Sequence, residues 1–86
     1  MSTFWISKYA LTEGVFSIDL NEPEPDQPSL ISSNGTVDGR WHMYHGEGRE
    51  WHRTEDAAKT RAEDMRVAKI VSLKKQISKL EKLTFN

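Results

Sequence analysis

The sequence contains no cysteine, which excludes a disulfide-stabilised fold and a zinc site with thiolate ligands. No apolar run approaches the ~20 residues that a membrane-spanning helix needs. Residues 1–16 include Lys8 and Glu13 and no continuous apolar segment, so we expect no secretory signal there. These absences together predict a cytoplasmic protein that makes no membrane contact.

The chain also has little net charge: −1 for all 86 residues, which excludes a simple polycation that coats nucleic acid. The near-neutral total conceals an uneven distribution. Residues 1–56 hold four basic and ten acidic residues, a net charge of −6, whereas residues 57–86 hold eight basic and three acidic residues, a net charge of +5. The sequence therefore has an acidic front and a basic back.

Proline and glycine are both absent after residue 48. The following stretch is rich in Ala, Lys, Glu and Leu, which is typical of a helix. Thr54 is suited to cap the helix, and Glu55 and Asp56 place negative charge in its first turn, where the helix dipole favours it. The sequence predicts one long helix over residues 54–84.

Residues 1–53 predict antiparallel β structure. Phe16, Ile18 and Leu20 alternate with polar residues, as in a strand with one buried face. We expect this strand to form a hairpin with residues 4–9. The other predicted strands are 30–33, 40–45 and 49–52, with turns at Asn34-Gly35 and Asp38-Gly39 and an exposed acidic, proline-rich loop at 21–28. The predicted class is α+β: a small antiparallel sheet of four to five short strands and one long C-terminal helix, in a single domain.

The predicted helix is too long for its own domain. Thirty residues make a rod of roughly 45 Å, whereas a compact domain of this size is roughly 30 Å across. Its second half carries apolar residues at the 3-4-3 spacing of a coiled-coil seam, at Ile70, Leu73, Ile77 and Leu80. We predict a homodimer through this seam, with its orientation left open. The alternative is that the second half folds back over the sheet as core.

Two further surfaces are candidates for binding. Lys75, Lys79 and Lys82 lie opposite the seam, and together with Arg66 they form a candidate basic face for binding nucleic acid. The alternative is that they are only the solvent-exposed side of the helix. Seven of the eight aromatic residues precede residue 52, and exposed aromatic side chains anchor protein contacts. The candidate protein-binding residues are Trp41, Tyr44, Glu47 and Trp51; the alternative is that the aromatic residues only fill the core.

Three histidines, His42, His45 and His52, suggest a metal or catalytic site as a further alternative. Their spacing argues against it, because His42 and His45 point to opposite faces of a strand and no HxH or HxxxH pair is present. A nucleophile elbow of the GxSxG type and a phosphate-binding loop are also lacking. We predict a non-enzymatic protein without metal or cofactor.

The segment 4–14, FWISKYALTEG, resembles the start of small orphan proteins of phages and prophages of Gram-negative bacteria. Segments 48–54, 61–66 and 69–77 are similar to later parts of the same proteins. The resemblance implies a phage or prophage setting and a small accessory protein that modulates a host component, and it assigns no functional residues. The predicted function is protein–protein binding, with a nucleic-acid-binding dimer as the alternative.

Overall fold

The computed structural model describes residues 1–33, 35–37 and 39–85. This part of the chain forms five short strands followed by one helix, which confirms the predicted α+β class. The strands are β1 (Ser2–Ile6), β2 (Phe16–Leu20), β3 (Leu30–Ser32), β4 (Met43–His45) and β5 (Trp51–His52), and the helix is α1 (Glu55–Glu81). The turns predicted at Asn34-Gly35 and Asp38-Gly39 each include a residue outside the described residues.

The strands form two antiparallel sheets, where the sequence had suggested one. The first has the order β2-β1-β5, and the second pairs β3 with β4. The predicted hairpin is present, with Phe4 opposite Ile18 in the β1–β2 ladder. Three prolines separate β2 from β3, and proline has no N–H to donate to a ladder. The chain therefore leaves the edge of β2, and β3 pairs with β4 instead.

The two sheets share one hydrophobic core. Its buried members come from all five strands: Phe4, Ile6, Ile18, Leu20, Ile31, Tyr44 and Trp51. The rings of Phe4 and Trp51 meet edge to face, with centroids 5.1 Å apart. The indole N–H of Trp51 donates to the carbonyl of Ser29 at 2.9 Å, just before β3. Trp51 thereby ties the second sheet to the first.

Arg53 covers one edge of this core. Its guanidinium lies 5.5 Å from the ring centroids of both Phe4 and Trp51, within cation–π range. The same group donates to Glu22 Oε1 at 3.0 Å and to Glu47 Oε2 at 3.2 Å. Hydrogen bonds from the Ser2 side chain and from Arg53 lower the pKa of Glu22. Arg53 thus fastens the chain after β2 and the turn before β5 to the core.

Helix α1 packs on the first sheet only near its start. Thr54 caps the helix, accepting from the Ala57 N–H at 3.2 Å. Ala58 is fully buried against β1 and β5, and Ala62 and Met65 are half-buried. In the projecting half of α1 (residues 66–81) every residue except the half-buried Ser78 is exposed.

The molecule is correspondingly elongated, with extents of 61 × 26 × 25 Å. Because α1 is one continuous helix to Glu81, the alternative that its second half folds back as core is wrong. Lys82 is its C-cap, two residues short of the predicted end. Among the described residues, no helix is long and apolar enough to cross a membrane.

Candidate functional site

The projecting half of α1 carries an exposed apolar stripe. It consists of the predicted seam residues, whose exposure rises from 37% to 66% along the helix: Ile70, Leu73, Ile77 and Leu80. At about 100° per residue, the seam is rotated roughly 70° from the sheet-facing side of the helix. Leu73 and Leu80 follow Ala62 by 11 and 18 residues and lie within about 20° of its side of the helix. Ile70 and Ile77 are displaced from that side by about 60–80°. Polar residues fill the rest of the sheet-facing side, among them Lys69, Ser72 and Gln76. The seam therefore overlaps the edge of the sheet-facing side but is centred on a different face.

The exposed helix leaves the chain with more surface than its mass requires. The accessible surface is 6444 Å², whereas a compact monomer of 9.9 kDa exposes about 5,200 Å². The radius of gyration is 17.3 Å, against about 12 Å for a compact chain of this length. An excess of about 1,200 Å² of surface thus accompanies the projecting half.

The basic face of α1 is smaller than predicted. Lys75, Lys79 and Lys82 are exposed on the side opposite the seam. Arg66 does not join them, because nine residues separate it from Lys75 and about 100° per residue then places the two on opposite sides. Arg66 instead forms an ion pair with Glu63, its Nε donating to Oε2 at 3.0 Å. This hydrogen bond raises the pKa of Arg66 and lowers that of Glu63.

The predicted aromatic surface is wrong for two of its four residues. Tyr44 and Trp51 are buried in the core, because two small sheets need large side chains to fill the space between them. Residues 41–45 alternate as predicted, with His42 and Tyr44 inward and the three intervening side chains exposed. Trp41 remains exposed at 69%, and Glu47 is exposed but bonded to Arg53.

The three histidines do not converge. His42 is buried, with Nδ1 2.6 Å from the Tyr44 hydroxyl, and His52 is buried, with Nε2 2.8 Å from Ser7 Oγ. His45 is exposed on the outer face of β4. Across the described ranges, no three His, Cys, Asp or Glu side chains lie close enough together to hold a metal ion.

The Ser7–His52 pair is too buried for a nucleophile and its base to reach a substrate, because Ser7 is 0% and His52 3% exposed. The one proton of the Ser7 hydroxyl has two acceptors within reach, the Arg49 carbonyl at 2.9 Å and His52 Nε2 at 2.8 Å. When the proton is donated to the carbonyl, the hydroxyl oxygen accepts from a His52 that carries hydrogen on Nε2. Burial, and next the charge of Arg61, lower the pKa of His52. This pair joins the end of β1 to β5 and is a structural contact.

A basic cleft is the feature that sequence reasoning missed. It lies between the turn at residues 46–50 and the first turns of α1, and has a volume of about 430 Å³. Its lining residues are Lys8, His45, Gly46, Arg49, Glu50, Arg61 and Met65. These positions come from three separate parts of the chain, so no local sequence motif predicts the cleft. The sequence feature that bears on it is the small number of basic residues in 1–56, because Lys8 and Arg49 are two of only four.

Comparison with protein-family models, with curated proteins and with solved structures finds no match to this chain. No relative therefore supplies a function for the seam, for the surface around Trp41 or for the basic cleft. Their geometry and chemistry are the basis for the functions proposed below.

Proposed function

We propose that the protein acts by binding other protein chains, and that one partner is a second copy of itself, paired through the seam. The observation that carries this proposal is the exposure of four apolar residues at 3-4-3 spacing on the part of α1 that projects beyond the sheets. This spacing is that of a coiled-coil interface, in which each apolar side chain inserts between residues of the facing helix. Pairing would remove the seam from water.

The exposed area supports a second copy as the occupant. Specific protein interfaces bury roughly 600–1,000 Å² on each partner. The excess surface of this chain, about 1,200 Å², is slightly larger than that amount. Pairing along the projecting half would therefore leave each chain with about the surface of a compact protein.

Charge favours an antiparallel pair. In a parallel pair Lys69 of each chain would lie beside Lys74 of the other, which gives two approaches between like charges. The two regions 1–56, each with a net charge of −6, would also lie side by side and repel each other. An antiparallel pair places the acidic sheet regions at opposite ends. It brings Ile70 against the partner's Leu80 and leaves one approach between like charges, at Lys74. We therefore propose the antiparallel arrangement.

Trp41 offers a second binding surface for a different protein. It stands exposed with Met43 on the outer side of the β4 segment, and tryptophan is among the residues that contribute most to protein interfaces. The resemblance to phage and prophage proteins supports a cytoplasmic host protein as this partner. The structural role of the Ser7–His52 pair supports a non-enzymatic function.

The alternative, a nucleic-acid-binding dimer, has less support because Arg66 lies away from the three lysines and is bonded to Glu63. A gel-shift titration at low and moderate salt separates the two functions. We expect no shift at micromolar protein. A shift that weakens steeply with salt would favour nucleic acid over a protein partner.

The proposal is tested by light scattering on the wild type and on Ile77→Asp over a range of concentrations. The wild type should have twice the monomer mass of 9.9 kDa, and the variant should have the monomer mass. A wild type that stays at 9.9 kDa at every concentration contradicts the proposal.

A further inference from the structure

We propose that the basic cleft binds a phosphate monoester group, carried by a small molecule or by a phosphorylated side chain. The cleft lies at the sheet-proximal end of α1, whereas the seam begins at Ile70. The proposal is therefore independent of helix pairing. Its volume, about 430 Å³, lies within the range of small-ligand sites.

The cleft gathers cations from a region that has few of them. Of the four basic residues in 1–56, Arg53 is held by two carboxylates, whereas Lys8 and Arg49 both line the cleft. Helix α1 adds Arg61. Neither Arg49 nor Arg61 forms an ion pair with any residue that the structure describes. The acidic half of the chain thus presents positive charge at one concave place.

The single carboxylate of the cleft is already engaged. Glu50 Oε1 accepts the backbone N–H of His45 at 2.9 Å and lies 3.6 Å from Lys8 Nζ. Three cations and this carboxylate give the lining a net charge of +2. A phosphate monoester carries a charge of about −1.5 to −2 at neutral pH, which matches the +2 of the lining. A ligand with a single carboxylate would neutralise only half of that charge.

The backbone and the side-chain stem of Arg49 are held in place before any ligand arrives. A Cβ built on Gly46, whose φ is +89°, would stand 3.3 Å from Arg49 Cβ and 3.4 Å from its Cδ, so the Arg49 stem packs over this glycine. The Arg49 N–H donates to the Gly46 carbonyl at 3.1 Å, and its own carbonyl accepts from Ser7. The guanidinium at the end of this stem can donate two parallel hydrogen bonds to phosphate oxygens.

An NMR titration of the ¹⁵N-labelled protein tests the proposal, with inorganic phosphate, phosphoserine peptide and, at matched ionic strength, sodium chloride as probes. We expect saturable shifts in the millimolar range at the cleft residues with both phosphates and none with chloride. If the phosphoserine peptide binds more tightly than inorganic phosphate, the ligand is a phosphorylated protein side chain. If the two bind equally, the cleft accepts a phosphate group whatever molecule carries it. Equal responses to phosphate and chloride would overturn the proposal.

Variants sharpen the test. Arg49→Gln and Arg61→Gln should each weaken phosphate binding at least tenfold, whereas Lys79→Gln, an exposed cation far along α1, should not change it. Glu50→Gln keeps an oxygen that can accept from His45 but removes the negative charge, so it should bind phosphate several-fold more tightly. Folded Arg49 and Arg61 variants with unchanged binding, or weaker binding by folded Glu50→Gln, would contradict the proposal.

Discussion

Replacing Ile77 by aspartate should weaken dimerisation without changing the stability of the folded chain. Ile77 is 53% exposed and lies in the projecting half of α1, three helical turns beyond Met65, the last half-buried residue near the sheet. Substitutions at such surface positions usually change the free energy of unfolding by less than about 0.5 kcal/mol. We therefore expect Ile77→Asp to fold as stably as an isolated wild-type chain.

The effect on the dimer should be large. Full burial of an isoleucine side chain contributes about 1.5–3 kcal/mol, and roughly half of that is still available at a half-exposed position. Because the dimer is symmetric, the substitution removes about 1 kcal/mol from each chain, or roughly 2 kcal/mol in all. Burying two carboxylates in an apolar seam adds at least about 2 kcal/mol. A total of about 4 kcal/mol raises the Kd roughly a thousandfold.

Sedimentation velocity over a concentration series measures this Kd, and urea unfolding measures the stability of the fold. Val71→Asp is the matched control, because Val71 is 47% exposed and lies six residues earlier, about 120° around the helix from Ile77. The control should dimerise much as the wild type does. Equal weakening by both substitutions would refute the assignment of the interface to the seam.

Three further predictions concern the sheet region. In urea unfolding, Trp51→Ala should lower the free energy of unfolding by about 3–5 kcal/mol, whereas Trp41→Ala, at an exposed site, should lower it by less than about 0.5 kcal/mol. Similar losses in the two variants would contradict the assignment of Trp51 to the core. Ser7→Ala leaves the Arg49 carbonyl and His52 Nε2 without their hydrogen-bond partner. Thermal unfolding should therefore show a loss of about 1–3 kcal/mol in stability, and an unchanged Tm would argue against these bonds. Because burial lowers the pKa of His52, the unfolded state takes up the proton first. Stability should therefore fall as the pH drops below about 6.5, and fall less in His52→Gln; equal pH dependence would contradict this.

The elements with a strong local pattern were predictable from the sequence. The alternation of Phe16, Ile18 and Leu20 predicted β2 with the bounds that it has. Strand β1 was predicted at 4–9 but runs from Ser2 to Ile6. The aromatic Tyr9 suggested a longer strand, whereas the Ala10 N–H bonds back to the Ser7 carbonyl and turns the chain there.

Among the candidate sites, too, those that depend on a local sequence pattern were predictable and those that depend on the folded chain were not. The spacing of the seam is a property of one helix, so the sequence predicted which residues share that face. The alternation around Trp41 predicted two faces but not which one is buried, because the docking of the second sheet on the first decides that. The basic cleft depends on β1 pairing with β5 and on α1 packing beside them, so Lys8 and Arg61 meet only in the folded chain.

Cysteine crosslinking tests antiparallel pairing through the seam without interference, because the chain has no cysteine of its own. The variants are Ile70→Cys and Leu80→Cys, separately and as a mixture, under mild oxidation. An antiparallel pair places residue 70 against the partner's residue 80, within the ~7 Å between Cα atoms that a disulfide tolerates, and separates identical positions by about 15 Å. We expect a disulfide-linked dimer in the mixture and none in either variant alone. Crosslinks within each single variant would show a parallel pair, and no crosslink in any sample would contradict pairing through the seam.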